Sequence, residues 1–171
     1  MSILSMYNAC VPMLDRALAN LEHVLKKGEA NAAERSIDPD VFLTARLAPD
    51  MATLTKQVQI AASMSKMSPH RLVGSEPPVY EDTEKTFDDL YALIAKARKE
   101  VNSFTPEMLN GTETREFTIK LGPIEREFIG IAYHSGFIIP NVLFHCTTAY
   151  NILRHNGVPL GKMDFFGGGN L

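Results

Sequence analysis

Few cysteines, no long apolar run and no block of one charge sign set the first limits on this chain of 171 residues. Its two cysteines, Cys10 and Cys146, form no C-x-x-C pair, and no zinc-finger pattern is present. Each sits in an apolar, helical pattern and reads as a small buried thiol, which points to a reducing, cytoplasmic setting. No stretch approaches the ~18 apolar residues of a membrane span, so no membrane partner is expected. The start, "MSILSMYNACVPMLDRALANL", lacks a basic region and interrupts its apolar residues with polar ones, so no signal peptide is expected. The 17 Lys and Arg residues are scattered among 20 Asp and Glu, for a formal charge of −3. A nucleic-acid partner calls for positive charge gathered on one face, and that class is set aside. There is no Ser-His-Asp spacing. The glycines of "FGGGNL" precede no helix that would cradle a phosphate.

What is present is an ordinary globular composition, 45% hydrophobic and 22% charged, over a length that fits one domain. We expect one helical domain over residues 1–166 and a flexible tail over 167–171. The spacing of Met6, Cys10, Met13, Ala17, Leu21 and Val24 predicts a first helix from about Ser5 to Lys27, stopped by Gly28. Asp38-Pro39 reads as the cap and first position of a short helix. A second long helix is expected from near Pro49, with Leu47, Met51, Leu54, Val58, Ala61 and Ser65 inward and a kink or break at Ser68-Pro69. Asp82 or Thr83 would cap a third, running to about Asn102. "REFTIKLGPIEREF" alternates polar and apolar residues around Gly122-Pro123 and predicts a short β-hairpin. Pro140 suits the first turn of a fourth helix, ended by Gly157 and Pro159. The pattern is all-α: a four-helix bundle with a β-hairpin or extended insertion before the last helix.

That last helix carries the candidate chemistry. Positions 141, 145, 148 and 152 advance by four, three and four residues, so Asn141, His145 and Thr148 share one face. Two ligands at i and i+4 can clasp one metal ion, but such a site needs donors from other helices. Gln57 from the second helix could join this face, and His134 could line the mouth of the same cleft. Inward polar groups must be hydrogen-bonded or solvated. Two readings stay open: a satisfied internal network, or a pocket in which His145 acts as acid or base.

The motifs "ARLAPDM", "KQVQIAA" and "FHCTTAYNILRHNGVPLGKMDF" resemble the DinB/YfiT-like superfamily of four-helix bundles, and within it an uncharacterised family. The similarity runs from "MYNACVPMLDRAL" to "KMDFFG". The resemblance implies metal-dependent chemistry in better-equipped members, where one His comes from the second helix and an H-x-x-x-H pair from the fourth. Here His145 falls on the second His of that pair, Asn141 on the first, and the second helix offers Gln57 and Gln59. No transition-metal cofactor is therefore expected.

The remaining histidines carry less. His155 and Arg154 suit the negative end of the last helix, His23 faces solvent, and His70 lies at a helix end. The eight methionines suggest a pliable core. The favoured expectation is a small-molecule-binding bundle with its polar pocket around His145, leaving open whether it is an enzyme. Against it stand a non-catalytic structural or interaction bundle and a metal-dependent hydrolase or transferase. Analogy with such bundles implies a homodimer.

Overall fold

Capping hydrogen bonds set the starts of the first four helices in the computed structural model, which describes residues 5–168 apart from the Leu121 side chain. Helix α1, Met6–Glu34, begins where the Ser5 hydroxyl accepts from the Asn8 amide. Its buried stripe runs through Cys10, Leu14, Leu18, Leu21 and Leu25. Met13, expected inside, is exposed. Turning the helix by one residue puts two leucines inward in place of Met13 and Ala17, which removes more branched apolar surface from water. Gly28 does not end the helix. A Cβ there would stand 2.8 Å from Leu153 Cδ2, so glycine serves the close approach of the last helix.

Asp38 and Pro39 start the short α2, Pro39–Leu43, as the sequence predicts. Helix α3, Leu54–Val73, begins later than expected, because the Thr53 hydroxyl accepts from the Lys56 amide and fixes the first turn there. Leu47, expected on its inner stripe, lies exposed before the helix. Pro69 removes one backbone donor without ending α3, whose final turn stays packed through the buried Leu72. Helix α4, Phe87–Val101, starts after a reciprocal Thr86–Asp89 cap rather than at Asp82 or Thr83. Phe87, Leu90, Ile94, Ala97 and Val101 line its buried face.

A short α5, Pro106–Leu109, leads to the predicted hairpin: β1, Glu116–Leu121, pairs antiparallel with β2, Ile124–Ile129. The strands dock through Phe117 and Phe128, whose rings lie 5.1 and 5.4 Å from that of Tyr133. The chain then stays helical from α6, Gly130–Tyr133, through a π-helical turn, His134–Ile138, into α7, Ile139–His155. The last helical segment thus starts ten residues before Pro140. The proline ring would crowd the carbonyl four residues back, at Gly136, and the widened π turn relieves that conflict. Gly157, at φ +90, lets the chain leave α7. A final α8, Lys162–Phe165, returns to α1 through Lys27 and Asp164, 2.7 Å apart. The glycine tail beyond 168 lies outside the described residues.

Around the bundle the order is α1, α4, α3, α7, with α3 packed most extensively on α7 and α4. Helices α1 and α3, consecutive long helices in sequence, sit diagonally, and α2 and its loops cross between them. Arg98 on α4 holds Asp15 on α1 through two guanidinium bonds of 2.8 and 3.2 Å. Among the described residues no helix is long and apolar enough to cross a membrane. Among the described methionines Met6 is buried in the core and Met64 packs against it, but Met13, Met108 and Met163 are about half exposed.

Candidate functional site

His145 and Gln57 meet across the α3–α7 packing surface, the most extensive between helices. Gln57 is 1% exposed, and its amide nitrogen donates to the Ala52 carbonyl at 3.1 Å. A carbonyl only accepts, so this bond turns the Gln57 oxygen towards α7. His145 Nδ1 lies 2.6 Å from that oxygen and must donate to it. The imidazole is thereby held with its proton on Nδ1 and a lone pair on Nε2. Nε2 has no protein partner among the described residues and is not sealed from solvent. Partial burial holds the His145 pKa below its usual value, which favours this neutral form. Phe144, largely exposed, meets the ring edge-on at 5.2 Å between centroids.

The other residues of the predicted face behave differently. Asn141, one turn before His145, is half-buried, and its side chain makes no hydrogen bond among the described residues. Thr148 is buried, and its hydroxyl donates to the Phe144 carbonyl on its own helix. Its outward donor is therefore used, as is common for a helical threonine. Gln59 turns away from Gln57, two residues on in a 3.6-residue period, and reaches Glu84 at 2.8 Å.

His134 is not at the mouth of a cleft with His145. It is 1% exposed in the π-helical turn, and Nε2 donates to the Ala9 carbonyl at 2.9 Å. Nδ1 then accepts from the Ser68 hydroxyl at 2.8 Å, and Ser68 in turn lies 3.8 Å from the Cys10 sulfur. Both ring nitrogens are used, and burial keeps the ring neutral by lowering its pKa. The physical reason is the π turn: helical geometry upstream of Pro140 points residue 134 at α1 and α3 rather than outward.

Five clefts open among the described residues, and none of these five is lined by His145, Gln57 or Asn141. One of them follows the connector after α3, beside a group the sequence analysis passed over. Tyr80 lies over Lys66 and Lys96, with ammonium-to-ring distances of 3.6 and 4.6 Å. Lys66 is 3% exposed and donates to the Pro78 carbonyl; burial, then Lys96, lowers its pKa. The connector's turn residues carry no periodic signal that would have found this packing.

No group of three or more His, Cys, Asp and Glu side chains comes together among the described residues. One imidazole, a carboxamide oxygen already hydrogen-bonded to it and a second carboxamide make a poor set for zinc or nickel.

Comparison with known proteins agrees with this architecture. A structure described as a DinB family member protein from Shewanella denitrificans superposes with a TM-score of 0.85 at 35% identity, covering 94% of this chain and 91% of that one. A comparison with curated proteins found no match. Residues 6–166 match the family defined by a domain of unknown function, DUF1993, and this chain belongs to that DinB-like family.

Proposed function

We infer that this bundle binds a small neutral molecule at the α3–α7 surface, with His145 Nε2 accepting a hydrogen bond from it. The observation that carries the reading is the lone pair at Nε2, fixed in place by the Ala52–Gln57–His145 chain and left without a donor among the described residues. Asn141 supplies both a donor and an acceptor one turn away, and Phe144 an exposed apolar ring. The complementary ligand pairs an N–H or O–H group with a carbonyl and a flat apolar part. A neutral imidazole gives an anion no charge to pair with, so carboxylates and phosphates fit this site less well. Binding needs no transition metal in this reading. Should the protein be an enzyme, Nε2 is the atom that would take up a proton from the ligand.

The test is a ligand-observed NMR screen of primary carboxamides and alcohols on aromatic scaffolds, repeated on His145→Ala and Asn141→Ala. Hits lost in both variants support the site; hits that survive both place binding elsewhere.

A second reading rests on a separate observation. Leu143 is 39% and Phe144 55% exposed on the same helix as His145. These side chains suit an interaction face, for which a homodimer is the simplest form. Light scattering of the protein and of a Phe144→Ser variant distinguishes this reading: a dimer that dissociates favours it, and a monomer in both removes it.

A further inference from the structure

At the end of α3, a serine, a histidine and a carboxylate form one hydrogen-bonded chain. His70 Nδ1 lies 2.8 Å from the Ser75 hydroxyl oxygen, and Nε2 lies 2.8 Å from Glu100 Oε1 on α4. A carboxylate only accepts, so Nε2 carries the proton and donates to Glu100. Nδ1 is left with a lone pair and accepts from the Ser75 hydroxyl. The other acceptor near that hydroxyl, the His70 carbonyl, is farther off at 3.4 Å. Phe104 meets the imidazole edge-on at 4.9 Å between centroids and fixes its plane. The His70 side chain is 12% exposed, whereas Ser75 stands in solvent.

The end of the helix explains this juxtaposition. Gly74 takes φ +82, and the Ser75 amide donates back to the His70 carbonyl at 2.9 Å. That reversal brings Ser75 over His70 and presents its hydroxyl at a tight corner. Ser75 opens on a depression of about 100 Å³ that Arg71, Arg115 and Phe117 also line. Arg115 Nη1 donates to the Arg71 carbonyl at 2.7 Å. This bond holds Nη2 beside Gly74, 2.5 Å from where a Cβ would stand. Glu76 shares the depression and reaches Arg71 Nη1 at 3.8 Å, so its carboxylate opposes an anionic guest.

We propose that Ser75, His70 and Glu100 form a nucleophilic site that hydrolyses small uncharged esters with a short acyl group. Hydroxyl and base are within hydrogen-bond reach, and a third group orients the base, which is what an activated serine requires. Ser75 Oγ bonds to the ester carbonyl carbon as its proton passes to His70 Nδ1 and the carbonyl electron pair moves onto oxygen. The Arg115 guanidinium is the donor placed to stabilise that oxyanion. The bond to the alcohol oxygen then breaks, and the departing alkoxide takes the proton from Nδ1. Water repeats both steps on the acyl-serine, releasing the carboxylic acid and restoring Ser75. Glu100 is a positioning residue: it keeps the ring proton on Nε2 and stabilises the imidazolium. His70 lies thirteen residues beyond Gln57 on α3, about 20 Å along its axis. The site is therefore separate from His145 and stands whether or not His145 binds anything.

The experiment treats the full chain with a fluorophosphonate, maps the adduct by peptide mass spectrometry, and follows p-nitrophenol release from p-nitrophenyl acetate. An adduct on Ser75 is expected; no adduct there, or one formed equally fast in His70→Gln, overturns the proposal. Ser75→Ala changes an exposed side chain and should lower p-nitrophenol release about ten-fold or more. Release that persists in that variant overturns the proposal, whatever the folding of His70→Gln. Glu100→Gln should slow labelling of Ser75 by about ten-fold or more, and Glu100→Asp should recover part of the rate. If His70 and Glu100 only clamp α3 to α4, Ser75 labels no faster than other exposed serines and neither Glu100 variant changes its rate; that result also sinks the triad.

Discussion

His134 and His145 stand eleven residues apart on one continuous helical segment, and the chain treats them in opposite ways. A backbone carbonyl decides the tautomer of each. Ala9 does so directly for His134, taking the Nε2 proton; Ala52 does so through the Gln57 amide for His145, leaving the proton on Nδ1. His134 then finds Ser68 for its second nitrogen, inside the core. Among the described residues His145 finds nothing for its second. Burial lowers both pKa values, so burial alone does not separate a structural histidine from an available one. The number of partners does.

The largest expected effect comes from the closed histidine. His134→Ala removes a buried ring and strands the Ser68 hydroxyl and the Ala9 carbonyl, at a cost of about 3 kcal/mol. For a domain of this size the thermal midpoint should fall by roughly 6–12 °C. A fall of only a degree or two would erase the contrast between the two residues.

Acidification gives the next effect. A depressed histidine pKa means that the unfolded chain binds more protons as pH falls through its ordinary value of ~6.5. Stability is full above that pH and is lost as pH drops below it towards the folded-state values. Urea melts between pH 7.5 and 5.5 should show this decline, and His134→Asn should flatten most of it. The Asp164 carboxylate, lowered to about 2 mainly by Lys27, acts only in a separate and more acidic window.

Much of this was legible beforehand. Helical stripes, the alternation around Gly122-Pro123 and the Asp38-Pro39 start all follow from local periodicity and capping, and the architecture came through with them. The boundaries that moved did so where tertiary contact overrode a local signal. Gly28 carries the sign of a helix end, but the demand at that position is for space beside Leu153. Pro140 carries the sign of a helix start, but a π turn upstream accommodates it in the middle of a longer segment. Placing Asn141, His145 and Thr148 on one face was correct as geometry, and so was bringing Gln57 to His145. Which of those groups had already spent its hydrogen bonds was not readable, because that depends on the Ala52 and Phe144 carbonyls. His134 misled for the same reason as Pro140: its direction is set by the π turn.

A smaller effect is expected for His145→Ala. The variant leaves the buried Gln57 oxygen without its donor but loses a ring already partly solvated, for about 1–2 kcal/mol. Its midpoint should drop by roughly 2–8 °C, less than for His134→Ala. Asn141→Ala should shift it least, within about 0.5 kcal/mol, since the Asn141 amide holds no partner among the described residues. A larger loss at Asn141 would show that the amide is tied into the fold and is not free for a ligand.

The account turns on one atom, and the imidazole nitrogens can be observed directly by long-range proton–nitrogen NMR. At neutral pH the prediction is opposite tautomers on one helix: His134 protonated at Nε2, and His145 protonated at Nδ1 with an unprotonated Nε2 that shifts when a bound carboxamide donates to it. Finding His145 protonated at Nε2, or its Nε2 unmoved by every ligand the protein binds, would contradict the claim that this nitrogen is held open for a partner.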